Sequence, residues 1–213
     1  TLMKISFFQL NIEQDKHIPV ITSFLQNNMF DIIHMQEVTK GAFQTFLSLG
    51  FKGELAFLYD IEEKTTFAWG NATFYKPFLQ LINKETIQLR HPHEPMPENE
   101  GLEELPDITK NVLLTQFSFE NCVFSSLNTH LAWGPNPTDR PYKLEQGKRL
   151  VDYVKTLQGN FILSGDFNVT PDSQIVQSLN TLATNHIVKS NITNTLNPRL
   201  HRAKELFPTG HAV

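Results

Sequence analysis

The sequence predicts an α/β sandwich, in which two β-sheets pack face to face and helices cover their outer faces. Three observations predict this fold class: short apolar runs typical of buried strands, amphipathic segments with helical spacing, and a candidate β-hairpin. The chain has 213 residues, of which 40% are hydrophobic and 17 are Phe, so it is long enough for one well-buried core. We therefore expect a single domain over residues 1–213.

The first half of the chain alternates predicted strands and helices before it turns to strands alone. The predicted strands are Met3–Asn11, Asp31–Met35 ending at Gln36-Glu37, Phe51–Leu58, Thr65–Tyr75 and Leu79–Leu89, and the predicted helices are Lys16–Asn28 and Ala42–Leu49. The segment from His91 to Asp107 has four Pro, six acidic residues and neither Lys nor Arg, which predicts an irregular loop.

The second half begins with a candidate hairpin that turns at Glu120-Asn121. The predicted elements are strands Asn111–Phe119 and Cys122–Thr129, helix Arg140–Leu157, strand Phe161–Ser164 and a helix from Pro171 to Leu182. On the long helix, four cationic residues alternate with acidic ones and are expected to form a solvated face: Arg140, Lys143, Lys148 and Arg149.

Charge and cysteine content narrow the function classes. The net charge of −4 and pI of about 6.0 argue against strong unspecific binding to duplex DNA, but not against a nucleic-acid substrate held in a local basic groove or by a metal ion. Cys122 is the single cysteine and lies in an apolar run, so we expect a buried thiol and neither a disulfide framework nor a cysteine zinc site. A cytoplasmic location fits, as does secretion without disulfides. No run of 18 apolar residues predicts a membrane span, and the oligomeric state is left open.

Polar residues stand where several predicted strands end. Asn11, Glu37 and His130 each follow an apolar run, as do Asp166 and Asn168. Strand ends that emerge at one edge of a layered fold can converge on one pocket. The carboxylates of Glu37 and Asp166 are hard oxygen ligands suited to Mg²⁺ or Mn²⁺. An asparagine amide can hold a phosphate oxygen, and a histidine such as His130 suits acid/base chemistry.

The motifs around these residues resemble the endonuclease/exonuclease/phosphatase superfamily. The matching segments, in order, are Leu10-Asn11-Ile12, Met35-Gln36-Glu37-Val38, Asn128-Thr129-His130-Leu131 and Leu163-Ser164-Gly165-Asp166-Phe167-Asn168. The resemblance implies a four-layer, DNase I-like sandwich that hydrolyses phosphoesters with Mg²⁺ or Mn²⁺ through in-line attack of water. Substrates of the superfamily include nucleic acids, lipids and sugar phosphates, and the fold alone does not indicate which of them this chain hydrolyses.

The resemblance also implies a role for each residue. Glu37 is the metal ligand, Asn11 lies near both metal and phosphate, and His130 lies beside the scissile phosphate. Asp166 and Asn168 orient or activate the attacking water and hold the phosphate. One element of the pattern, a Ser-Asp-His segment near the C-terminus, does not occur before Val213, so we expect C-terminal strands beyond this sequence. A phosphatase acting on an inositol- or lipid-type phosphate, or a non-catalytic phosphate-binding module, remains the alternative.

Two further features allow a functional or a structural interpretation. Trp133 either plugs the core or contacts substrate by stacking. His91 and His93 flank a proline in the acidic loop, and a surface loop is favoured over a metal site because clustered ligand spacing is missing.

Overall fold

The computed structural model describes residues 4–59, 68–91, 94, 109–134 and 137–196, which form two packed four-stranded sheets. The first sheet contains β1 (Phe7–Asn11), β2 (Ile32–Thr39), β3 (Lys52–Tyr59) and β4 (Trp69–Tyr75), in the order β1-β2-β4-β3. The second contains β5 (Gln80–Arg90), β6 (Lys110–Phe119), β7 (Cys122–His130) and β8 (Asn160–Asp166), in chain order.

Helices cover the outer face of each sheet. They are α1 (Ile18–Asn27) and α2 (Lys40–Leu47) on the first sheet, α3 (Pro141–Thr156) and α4 (Gln174–Asn180) on the second, and the short α5 (His186–Lys189) after them. One apolar core joins Ile21 and Phe46 of the helices to Met35, and another joins Leu150 to Leu127. The predicted four-layer sandwich is confirmed, although α5 was not predicted. None of the helices in the described part of the chain is long and apolar enough to cross a membrane.

Each sheet contains one parallel pair of strands at its edge. β1 pairs with β2 and β7 pairs with β8 in parallel, whereas the other neighbours are antiparallel. β1 also lies against β8 across the sandwich. Because parallel strands end at the same edge, the carboxyl ends of these four strands are gathered in one place.

The layer between the sheets is polar near this edge and apolar farther away. Gln36 Nε2 donates to Asn128 Oδ1 across the layer at 2.6 Å, and Asn71 Nδ2 donates to Asn111 Oδ1 at 3.0 Å. The apolar part contains Ile32, Tyr75, Leu79 and Phe117. These buried amides donate to each other across the layer, which offsets part of the cost of removing them from solvent.

His34 occupies the centre of this layer and gives the fold a predictable response to acid. Its ring nitrogens lie 2.8 Å from Ser164 Oγ and 2.7 Å from Ser126 Oγ, and the residue is 0% exposed. Burial lowers the pKa of His34 from 6.5 to about 3. Below pH 6.5 the unfolded chain therefore takes up a proton that the folded chain refuses, so stability is full above pH 6.5 and is lost as the pH falls towards 3.

We expect His34 alone to remove about 2.5 kcal/mol of unfolding free energy between pH 7 and pH 4.5. Urea denaturation of wild type and His34→Gln at both pH values measures this. The variant should have a flatter pH dependence in this window, whatever its stability at pH 7. Equal slopes in the two proteins would show that His34 is charged in the folded state.

The element boundaries agree with the sequence predictions to within a few residues, although β1 begins at Phe7 and not at the predicted Met3. β2 continues to Thr39 instead of ending at Gln36-Glu37, and residues 65–67 of the predicted Thr65–Tyr75 strand lie outside the described residues. The prediction of a buried Cys122 is wrong, because its side chain is exposed. β8 begins opposite Phe124, so Cys122 lies in the part of the β6–β7 hairpin that extends beyond β8.

Candidate active site

Three predicted site residues come together through strand alternation. Asn11, His130 and Asp166 are the last residues of β1, β7 and β8. In β1, Phe8 and Leu10 pack towards the helices, which leaves Asn11 on the face turned to the other sheet. On β8, Ser164 reaches His34 between the sheets, and Asp166 is two residues farther along the same face.

Glu37 reaches the site by breaking this alternation. Met35 and Val38 both pack in the helix-side core, so one extra residue stands between them on that face. The β2–β4 register shifts between the same two residues, which marks a β-bulge. Glu37 has φ of 58°, a left-handed conformation that a glutamate rarely adopts. The bulge therefore turns Glu37 away from the apolar core and towards β1.

Asn11 links the two carboxylates directly. Its Nδ2 donates to Glu37 Oε1 at 3.1 Å and to Asp166 Oδ2 at 2.9 Å. Its Oδ1 accepts the backbone N–H of Glu13 at 3.0 Å, which fixes the direction of the amide. His130 Nε2 lies 3.9 Å from Asp166 Oδ2. The structure thus brings Asn11, Glu37, His130 and Asp166 into one cluster.

Asn168 is close to the cluster but faces partly away from it. Its backbone N–H donates to Asp166 Oδ1 at 3.1 Å, and its Nδ2 donates to the carbonyl of Leu131 at 3.0 Å. The residue has φ of 52°, which asparagine tolerates better than most residues. Asn168 therefore orients the Asp166 carboxylate through its backbone. A direct contact between its side chain and a phosphate stays a prediction.

Lys143 corrects the expectation of a solvated cationic face on α3. The residue is 0% exposed, and its Nζ donates to the carbonyl of Asn168 at 2.8 Å. Arg149 is also not simply solvated, since its Nη1 lies 2.8 Å from Glu94 Oε1. Lys143 stands seven residues before the buried Leu150, which places both on one helix face. The seven-residue spacing was the signal in the sequence for a buried Lys143, but the positive charge of the lysine favoured an exposed position instead.

We expect Lys143→Met to lower the unfolding free energy by about 2 kcal/mol, because a buried carbonyl loses a charged donor. Lys148→Met is the matched control, since Lys148 is exposed on the same helix and should change stability by less than about 0.5 kcal/mol. Urea denaturation of both variants measures the difference. Equal stabilities would mean that the contact with Asn168 contributes nothing to the fold.

The remaining candidates fall around the site or outside it. Trp69 was missed by the sequence analysis, and its ring centroid lies 5.8 Å from that of His130. Trp133 is half-buried, and its carbonyl accepts the Tyr142 hydroxyl at 3.3 Å, which does not choose between its two interpretations. His93 lies outside the described residues, so the proposed loop position of the two histidines is not tested.

The donor set fits a hard divalent cation of the kind that keeps several waters. Among the described residues, no group of three or more His, Cys, Asp or Glu side chains is arranged to hold a metal ion. Mg²⁺, however, commonly uses only one or two protein carboxylates together with water and substrate phosphate. Glu37 and Asp166 both bond the same amide nitrogen, so two carboxylates converge where a cation would offset their charge. Asn11 would ligate through Oδ1, which here accepts the N–H of Glu13.

Solved structures with the same architecture were found, although no protein-family model and no curated protein sequence matches this chain. An endonuclease/exonuclease/phosphatase from Bacteroides vulgatus is 18% identical with a TM-score of 0.65, over 84% of this chain and 72% of that one. A mannosyl-6-phosphatase from Bacteroides thetaiotaomicron is 16% identical with a TM-score of 0.65, over 84% and 70%.

A third structure is ANGEL2, a 2′,3′-cyclic phosphatase, in complex with adenosine-2′,3′-vanadate. It is 17% identical with a TM-score of 0.61, and the match covers 84% of this chain. This chain spans 60% of the ANGEL2 chain. At these identities the likeness concerns the fold. The two mixed sheets, their flanking helices and these neighbours together identify the fold of this chain as that of the endonuclease/exonuclease/phosphatase superfamily.

Proposed function

We propose that this chain is a Mg²⁺- or Mn²⁺-dependent phosphoester hydrolase of the phosphodiesterase or nuclease type, in which an activated water attacks phosphorus in line. The observation that carries the proposal is the direct bonding of Asn11 to both Glu37 and Asp166, which brings residues of two sheets together at one edge of the sandwich. The phosphatase activities named for ANGEL2 and the Bacteroides thetaiotaomicron neighbour support phosphoester chemistry on this fold.

Each residue of the cluster has a role that follows from its surroundings. Glu37 supplies the carboxylate that would hold the metal, and Asn11 orients that carboxylate. When bound, the metal would neutralise phosphoryl charge and lower the pKa of a water. Asp166 is held at both oxygens, by Asn11 and by the backbone of Asn168, so its lone pairs are directed for taking a proton from that water.

His130 completes the arrangement from the second sheet. Only 3% of the residue is exposed, and Nε2 lies 3.9 Å from Asp166 Oδ2. An imidazole at this position can donate to a phosphoryl oxygen or to the leaving group. The ring of Trp69 packs beside it, with the two ring centroids 5.8 Å apart.

Hydrolysis by the full-length gene product, with Mg²⁺ and with EDTA, tests the proposal. The panel contains a generic phosphodiester, single-stranded and duplex oligonucleotides, a nucleoside 2′,3′-cyclic phosphate, mannose 6-phosphate and an inositol phosphate. We expect EDTA to abolish hydrolysis of at least one member and Mg²⁺ or Mn²⁺ to restore it. Preference for the inositol phosphate would favour the alternative phosphatase activity.

Variants attribute the activity to this site. Glu37→Gln should lose the EDTA-sensitive hydrolysis, because the amide is a weaker ligand for a hard cation. Asp152→Asn is the matched control, since its side chain is 57% exposed on α3 and contacts Lys155 of the same helix. Activity that survives in Glu37→Gln would place the reaction elsewhere. Binding of phosphate without turnover by the folded wild type would favour the non-catalytic module.

A further inference from the structure

Asn128 makes contacts that none of the roles given above explains. It lies on β7 two residues before His130, faces the first sheet and is 0% exposed. Its Nδ2 donates to the carbonyl of Met35 at 3.0 Å and to that of Ala72 at 2.8 Å. Met35 and Ala72 are partners in the last regular pair before the β2 bulge. One amide from the second sheet therefore bonds both β2 and β4 of the first sheet at the bulge.

The direction of this amide is fixed by a chain of side chains. Asn128 Oδ1 accepts from Gln36 Nε2 at 2.6 Å, and Gln36 Oε1 accepts from Gln9 Nε2 at 2.7 Å. Because the oxygen is held by Gln36, both N–H groups of Asn128 must face the two carbonyls. Gln36 is the residue immediately before Glu37, so the chain of amides ends at the residue that the bulge turns.

We propose that Asn128 is a positioning residue that holds the β2 bulge and thereby aims the Glu37 carboxylate at the site; this rests on the proposed function, in which Glu37 is the metal ligand. In a strand without the bulge, Glu37 would follow Met35 into the helix-side core and Val38 would face the other sheet. Asn128 bonds both carbonyls of the pair directly before the bulge, in the register that gives Val38 the core position.

A second amide between the sheets provides a matched control. Asn111 is also 0% exposed, and its Nδ2 donates to the carbonyl of Phe57 at 3.0 Å while its Oδ1 accepts from Asn71 Nδ2 at 3.0 Å. Phe57 lies at a register shift between β3 and β4, which contains none of the proposed site residues. Asn111 therefore resembles Asn128 in its burial and in its bonds to a backbone carbonyl and a side-chain amide, but these bonds do not connect it to Glu37.

The test is the dissociation constant of Mn²⁺, measured by EPR titration of the full-length gene product without substrate. Asn128→Ser should raise this constant about 10–100-fold, the usual effect of removing a residue that orients a metal ligand. Asn111→Ser should stay within about twofold, since the two positions act independently. Urea denaturation of both variants checks that they are folded and that the two substitutions destabilise the protein to a similar extent.

Each outcome of the titration supports or overturns the inference. A wild type that binds no Mn²⁺ would overturn this inference together with the proposed function. Wild-type affinity in folded Asn128→Ser would overturn only the inference, as would an equal loss in both variants. Should Asn128→Ser not fold, Gln36→Leu takes its place, because it releases the amide to rotate. Weakened Mn²⁺ binding in Gln36→Leu supports the inference, and unchanged binding overturns it.

Discussion

Replacement of Asp166 by asparagine is expected to lower kcat for phosphoester hydrolysis by about 10²–10⁴-fold, the usual contribution of a general base. The amide cannot take a proton from water. In the wild type, Asn11 Nδ2 donates to Asp166 Oδ2 at 2.9 Å. The new amide can place its own N–H group against this donor, which would remove the bond. The bond from the Asn168 backbone to Oδ1 can persist, so the local backbone should keep its shape. Steady-state kinetics on the best substrate of the panel measures the effect.

The separation of kcat from KM makes this prediction specific. Loss of a base acts on the chemical step, so KM should change far less than kcat. Asp152→Asn should leave both constants within about twofold, as expected of an exposed surface position. A kcat for Asp166→Asn within about threefold of wild type would exclude Asp166 as the base and turn attention to His130.

Gly165→Ala is expected to lower the unfolding free energy by about 2–4 kcal/mol, because the new methyl group has no space. A Cβ at Gly165 would lie 2.0 Å from the carbonyl oxygen of Thr129, its partner in the parallel β7–β8 pair. Backbone atoms cannot move aside as a flexible side chain can. The strand must therefore shift, and Asp166, the next residue, shifts with it.

Gly41→Ala is the matched control for this substitution. The nearest atom to a Cβ at Gly41 is Thr39 Oγ1 at 3.8 Å, an ordinary van der Waals distance. Since Gly41 lies in α2, alanine should leave stability unchanged or raise it by up to about 1 kcal/mol. Urea denaturation of both variants gives the comparison. A Gly165→Ala protein as stable as wild type would mean that β7 and β8 tolerate a wider spacing.

Local pattern accounts for why the fold could be predicted from the sequence. Apolar runs and helical spacing are properties of short segments, and they located the strands and the long helix α3 to within a few residues. The order of the strands in each sheet could not be predicted this way. It depends on pairings such as β2 with β4, which form between segments that are distant along the chain.

Alternation also contained more information about the site than the motifs alone. Ser126, Asn128 and His130 occupy every second position of β7, and the contacts of Asn128 confirm that this face meets the first sheet. Cys122 shows the limit of such reasoning. Its apolar neighbourhood in the sequence predicted burial, but the place where the neighbouring strand begins decides its exposure.

The sequence by itself determined the fold class, the main elements and the position of Asn11, His130 and Asp166 at the ends of their strands, because strand patterns are local. Only the tertiary structure decided that Asn11 bonds Asp166, 155 residues away. It also decided the position of Glu37, because a bulge depends on the partner strand and on Asn128 from the other sheet. Long-range pairing of this kind has no signature in a short segment, and it brings the residues of the candidate site together.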